Sequence, residues 1–208
     1  MKTKGMRLLL ALGVFLFIFL TVPGNRNSVY AAGNYYLQIN KGTNVVTVFD
    51  NSGKPIHAFL CSTGPATPIG TYYTSERLRW HTLYFECYGQ YCTRITGDIL
   101  FHSVYYLQYG DPQTQSYSAF NRLGTMASHG CVRLTVADAK WIYDNCPLRT
   151  KVVIINGSAA NDPLGKPAAI KVDAKKIMGW DPTDPDPRNP YASTFPSIHT
   201  QAKTTRIR

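Results

Sequence analysis

An alternation of apolar and polar residues between positions 35 and 61 constrains the fold more than any other feature of the chain. Tyr35, Leu37 and Ile39 recur at every second residue, and Lys41-Gly42-Thr43-Asn44 then turns the chain. Residues 45–49 form a second apolar run, and Asp50-Asn51-Ser52-Gly53 leads into a third at 56–61. A period of two puts alternate side chains on opposite faces of an extended strand. The Gly- and Asn-bearing turns supply the positive φ angles that tight hairpins need, so the pattern predicts a β-meander. Further strand signals lie at residues 98–105 and 151–155. Residues 135–145 carry the main helical spacing: Val136, Ala139, Ile142 and Tyr143 share one face. Thr135 stands as an N-cap with Asp138 three residues on, and Asn145 and Pro147 end the helix. The expected fold is mainly β, with one core over residues 34–157.

Set into this frame is Ser128-His129-Gly130-Cys131-Val132-Arg133. A cysteine attacks as its thiolate, and at an ordinary pKa of about 8.5 only a few per cent is ionised at neutral pH. It needs a base. His129 is two residues away, Gly130 allows a close backbone approach that a Cβ would obstruct, and Arg133 adds permanent positive charge. Upstream, the apolar run in Asp98-Ile99-Leu100-Phe101-His102 reads as a buried strand that delivers His102 to the end of a sheet. His102 is the better base, because a histidine on a neighbouring strand can face the sulfur, whereas one next to the cysteine in sequence often points elsewhere.

His102 and Ser128-His129-Gly130-Cys131-Val132-Arg133 together resemble the L,D-transpeptidase (YkuD-type) family, whose signature is a histidine, a spacer, and Ser/Thr-His-Gly-Cys followed by an apolar residue and Asn or Arg. The resemblance covers residues 35–155 and implies a β-sandwich-like catalytic domain with one main helix after the Cys131 loop. It implies that Cys131 attacks the bond after the third residue of a peptidoglycan stem tetrapeptide, that D-alanine leaves, and that the thioester passes to an acceptor amine to give a crosslink. Transfer to water would make the outcome a carboxypeptidase. By the same resemblance, His102 moves the proton with its other ring nitrogen held by a carbonyl near Ser103. The amides of Gly130 and Cys131 form the oxyanion hole, and His129 shapes the loop. Ser128, Ser103 and Arg133 contact substrate, with Arg133 either meeting a stem carboxylate or bracing the loop. Carbapenem-type β-lactams are expected to acylate Cys131, and no metal or organic cofactor is implied. Two other classes remain: a sortase-like or other cysteine peptidase, and a non-catalytic wall-binding module. A sortase would place its arginine well downstream of the cysteine, and a degenerate module would not keep both His102 and Cys131.

Five cysteines leave one thiol over in any pairing, and Cys131 is the natural odd one. Cys87 and Cys92 are placed to bridge across a short hairpin, and Cys61 and Cys146 to be buried thiols, although the four allow three pairings. The spacing of Cys87 and Cys92 lacks the second close pair of a zinc site. His57, His81 and His199 stand alone and read as structural or solvated.

At the N-terminus Lys2, Lys4 and Arg7 precede an apolar run at 8–20, and Val29-Tyr30-Ala31 offers a small-residue cleavage site. This is the layout of a signal peptide over residues 1–31, with a retained anchor as the other reading. The expected location is therefore the cell wall or the outer face of a bacterial membrane. The net charge of +10 falls to +6 once Lys2, Lys4, Arg7 and Arg26 are removed. Such an excess favours an anionic envelope surface. The absence of any block of consecutive Lys and Arg argues against nucleic acid.

Four further segments remain. Residues 62–72, rich in Gly and Pro, read as a stiff connection along a cleft and not as a direct contact. Residues 73–96 hold Trp80, Tyr84, Phe85, Tyr88 and Tyr91, and the resemblance implies a hairpin or lid there. The polar spacer at 103–127 reads as a surface excursion. From residue 158 the composition shifts to Pro, Asp and Lys, giving a tail over 158–208 in which Trp180 and Tyr191 favour wrapping onto the domain. Helix 135–145 is expected to turn the positive end of its dipole toward Cys131, worth about 0.3–1 kcal/mol to a thiolate.

Overall fold

The computed structural model describes residues 34–192 and 194; the leader at 1–31 and His199 lie outside them. The meander forms as its pattern predicts: β1 (Tyr35–Asn40), β2 (Val45–Asp50) and β3 (Pro55–Leu60) pair antiparallel in sequence order. The other edge of β1 takes β10 (Lys151–Ile155) in parallel, and β4 (Gly70–Tyr73) closes a five-stranded sheet of order β3-β2-β1-β10-β4. A second sheet runs β5 (Glu76–Leu83), β6 (Cys87–Thr96), β7 (Ile99–Ser103) and β9 (Val132–Leu134), with β7 and β9 parallel.

The period of two explains the core. Leu37 and Ile39 of β1, Val46 and Val48 of β2, and Val152 and Ile154 of β10 all turn inward. They join Ile95, Phe101, Val132 and Leu134 of the second sheet. The main helix, α2 (Val136–Asn145), adds Val136, Ala139 and Ile142 to the same core. Thr135 caps it, its Oγ1 accepting from the Asp138 amide at 3.2 Å. The architecture is mainly β, as expected.

Within the fold, two expectations require correction. The spacer is not a surface excursion. It carries β8 (Gln115–Ser116) and a single turn α1 (Tyr117–Phe120), and Ala119, Phe120 and Leu123 form a second small core with Leu60 and Val104. Its polar residues mislead because Gln115, Ser116 and Thr114 are buried through hydrogen bonds, and not solvated. The tail explains this: β11 (Met178–Gly179) pairs with β8, Ile170 and Val172 pack on the second core, and Asn121 is hydrogen-bonded on both sides to Val172. Wrapping thus buries Trp180 and Asp181.

The second correction concerns Cys87 and Cys92. Both lie on β6, five residues apart, or about 16 Å along an extended strand, too far for one disulfide. Both are free thiols, as are Cys61, Cys131 and Cys146.

Candidate active site

The second sheet brings the two motif elements together. In the parallel pair β7–β9, Phe101 faces Val132 and His102 faces Arg133. Cys131 immediately precedes β9. Its side chain falls on the same face as Arg133, and His102 shares that face by pairing. Two residues along and one strand across is about 8 Å between Cα atoms, within reach of a cysteine and a histidine directed at one another. Both side chains line one cleft of about 900 Å³. His102 is buried at its base, with Nδ1 2.6 Å from the Ser103 carbonyl oxygen, the contact the resemblance leads one to expect. A carbonyl only accepts, so Nδ1 carries the proton and Nε2 keeps its lone pair.

The Cys131 loop is held by a segment distant in sequence. Ser62 and Arg133 exchange backbone hydrogen bonds at 2.8 and 2.9 Å, and the Ser128 amide donates to the Thr63 carbonyl at 3.0 Å. The Ala66 amide donates to the His129 carbonyl at 2.9 Å, and Thr67 Oγ1 to the Gly130 carbonyl at 2.6 Å. Segment 62–72 is therefore in direct contact with the loop, contrary to its reading as a connection. The physical consequence lies in the peptide units. In a trans peptide the C=O and the following N–H point in opposite directions. Pinning the carbonyls of His129 and Gly130 thus turns the amides of Gly130 and Cys131 away from the clamp. Gly64 permits the approach: a Cβ there would lie 2.3 Å from the Ser128 carbonyl oxygen. At Gly130 a Cβ would press on Ile99 Cδ1 at 2.7 Å.

Electrostatically the pair rests neutral. Burial, helped by the positive Arg133, pushes His102 down to about 3. Burial raises the Cys131 thiol, partly offset by the Leu100 amide and Arg133. In keeping with a thiol, Sγ donates to the Asp98 carbonyl at 3.3 Å. The helix dipole does not reach this sulfur. The N-terminus of α2 is taken by the tail, where Asp181 Oδ2 accepts from the Val136 amide at 2.9 Å and Thr183 Oγ1 from the Ala137 amide at 3.1 Å. The whole of β9 separates that end from Cys131.

The remaining predicted residues divide clearly. Ser128 Oγ donates to the Cys131 carbonyl at 2.6 Å and so closes the loop on itself. Ser103 is fully buried and lies outside the cleft lining; its Oγ bonds to Gln90 and Val104, and its place in the site is through its carbonyl. Arg133 braces the loop through Nη1 to the Ala127 carbonyl at 2.6 Å and lies over the Tyr105 ring. His129 faces the cleft, its ring 5.0 Å from that of Phe85. Phe85 and Tyr84 form the exposed tip of the β5–β6 hairpin, which borders the cleft, and Tyr84 is tied to Asp98 by a 3.0 Å hydrogen bond. Trp80 and Tyr91 pack against the core instead.

The YkuD model, the L,D-transpeptidase catalytic domain, matches residues 34–154. The chain belongs to this family. YciB of Bacillus subtilis (strain 168), named only provisionally as an L,D-transpeptidase, is 43% identical over 99 residues, 43% of this chain and 46% of that protein. The chain thus spans less than half the length of this relative. Among solved structures, LdtMt1 in complex with imipenem aligns with a TM-score of 0.50 at 20% identity over 59% of each chain, a likeness of fold. An L,D-transpeptidase from Mycobacterium smegmatis aligns at 0.49 and 17% identity over 59% of each chain.

Within this YkuD domain, sequence reasoning missed Thr67 as the anchor of Gly130 and His81 as part of the cleft. The run Ser62-Thr63-Gly64 beside Thr67 held a signal for the first, since closely spaced hydroxyls and a glycine suit a close backbone contact. No local signal marked His81.

Proposed function

We propose that this chain is a cysteine-dependent L,D-transpeptidase that acts on peptidoglycan stem peptides at the cell envelope. The observation that carries the reading is His102, with its tautomer fixed by the Ser103 carbonyl, on the strand next to the one that Cys131 precedes, both lining one cleft. As the sulfur attacks the carbonyl after the third stem residue, its proton passes to His102 Nε2. The carbonyl oxygen becomes an anion opposite the amides of Gly130 and Cys131, where one fixed donor is typically worth about 3–4 kcal/mol. His102 returns the proton to the departing D-alanine amine, leaving a thioester. An acceptor amine on another stem then attacks the thioester, loses its proton to His102, and the thiol reforms. Because both partners start neutral, His102 acts as a general base in the attack and not as half of a standing ion pair.

Envelope placement is supported by the basic and apolar pattern of residues 1–31 and the residual positive charge. The imipenem complex of LdtMt1 supports binding of a carbapenem in this cleft, and acylation of Cys131 is the outcome expected if the sulfur is the nucleophile. The test is incubation of the protein with disaccharide tetrapeptides, followed by mass spectrometry. D-alanine loss with dimers supports transpeptidation, D-alanine loss alone a carboxypeptidase, and neither product rejects the reading. Cys131→Ala should abolish turnover and the carbapenem adduct while the fold persists.

A further inference from the structure

The cleft holds a second feature that the motif does not contain. Ser62 ties together two arginines far apart in sequence. Its backbone pairs with Arg133, and its Oγ donates to the Arg122 carbonyl at 3.1 Å. Arg122 and Arg133 both line the cleft that holds Cys131. Burial lowers the pKa of Arg133, and the positive charge of Arg122 adds to that lowering. Among the described residues neither arginine forms an ion pair. The acids of the cleft do not neutralise them: Asp98 accepts from Tyr84 and stands 3.8 Å from Arg94, and Glu86 sits on the hairpin tip. Arg133 is partly committed, through Nη1 to Ala127 and over the Tyr105 ring. No side-chain hydrogen bond of Arg122 occurs among the described residues, so its guanidinium fork is the one left to a ligand.

Two cations drawn together in a half-buried cleft repel one another unless an anion joins them. A guanidinium is also the side chain whose paired donors match a carboxylate. Resting on the transpeptidase reading, we propose that Arg122, assisted by Arg133, is a specificity-determining residue that binds a carboxylate of the donor stem within one or two residues of the scissile carbonyl. Arg133 is two residues from Cys131 along β9, about 7 Å, which sets that range. Two of the stem carboxylates in that range belong to the residues on either side of the scissile bond, and Arg122 is assigned to one of these: the terminal one of the leaving D-residue or, where it is free, the side-chain one of the third residue.

Binding separates this proposal from turnover. Calorimetry on the full chain carrying Cys131→Ala would compare a tetrapeptide stem with both carboxylates free against stems carrying a carboxamide at the terminal or the side-chain position. One of the two carboxamides should bind at least tenfold more weakly, and that one identifies the carboxylate. Adding Arg122→Gln should weaken the fully acidic stem at least tenfold, leave the identified carboxamide within twofold, and spare the melting temperature. Arg122→Lys should recover part of the loss. Equal affinity for all three stems, no binding of the acidic stem, or an Arg122→Gln effect of the same size on every stem would each overturn the proposal. Stems that bind as described to Cys131→Ala but lose no D-alanine to the unmodified protein would instead overturn the transpeptidase reading.

Discussion

The hydroxyl of Thr67 donates to the carbonyl oxygen of Gly130 at 2.6 Å and accepts from the Gly64 amide at 2.9 Å. One buried side chain therefore sets the Gly130–Cys131 peptide plane, and with it the direction of the Cys131 amide. Thr67→Val keeps the volume and removes both bonds. It should lower kcat/KM for D-alanine release by about tenfold or more, as expected when an oxyanion donor is misaimed. Alkylation of Cys131 by iodoacetamide, which develops no oxyanion, should change less than twofold. Equal losses in both assays would assign Thr67 to loop integrity alone.

Gly64 tests the clamp from its other side. The contact in the way of a Cβ at Gly64 is backbone, the Ser128 and His129 carbonyls, which no rotamer change can relieve. Gly64→Ala should displace the Cys131 loop, cut turnover by at least a hundredfold and destabilise the protein by about 1–3 kcal/mol, the range for overpacking. Urea unfolding and the turnover assay measure the two, and wild-type activity would mean that the clamp is dispensable.

The buried neutral His102 makes stability depend on pH. Its pKa falls from 6.5 in the unfolded chain to about 3 in the fold, so between these values the unfolded state binds the extra proton. Stability from this group is complete above pH 6.5 and is lost as the pH falls toward 3, by about 1.4 kcal/mol per pH unit. Comparing His102→Gln with the unmodified protein cancels the other titrating groups. From pH 7 to pH 5 the unmodified protein should lose about 2 kcal/mol more than the variant in urea unfolding. Parallel pH curves would show that His102 titrates normally.

A neutral resting pair also predicts the reactivity of the sulfur. Burial raises the Cys131 thiol above its ordinary value, so its alkylation, followed by peptide mapping to distinguish it from the half-buried Cys87, should climb steadily through pH 9. A plateau already reached between pH 5 and 7 would instead reveal a standing thiolate–imidazolium pair.

Asp181 joins the tail to the body. One oxygen accepts from the Val136 amide and from Gln115 Nε2 at 3.1 Å, and the other from the amide and hydroxyl of Thr183. Asp181→Ala strands these buried donors and should cost about 2–4 kcal/mol in urea unfolding. A cost under about 0.5 kcal/mol would mean that the tail docks without this contact.

Much of this protein was legible in the chain. The meander, helix α2 and strand β10 follow from period and turn chemistry, which depend on neighbours within a few residues, and the motif fixed which thiol and which imidazole to examine. The tail wraps as its aromatic residues suggested, but the spacer it packs on was misjudged. Gln115, Asp181 and Thr183 are buried polar residues, with Asp181 accepting from Gln115 across 66 positions and from Thr183 beside it, and a composition reads such residues as solvated.

What the sequence by itself determined is local: where strands and the helix form, and that Cys131 and His102 are the thiol and imidazole to test. Only the tertiary structure decided that β7 pairs in parallel with β9, that Thr67 aims the loop across 63 residues, and that Asp181 occupies the N-terminus of α2 across 45. Backbone periodicity is dictated by bonded neighbours, whereas the partner of each edge, carbonyl and helix end is chosen by which arrangement buries the apolar faces and leaves the polar groups between them satisfied.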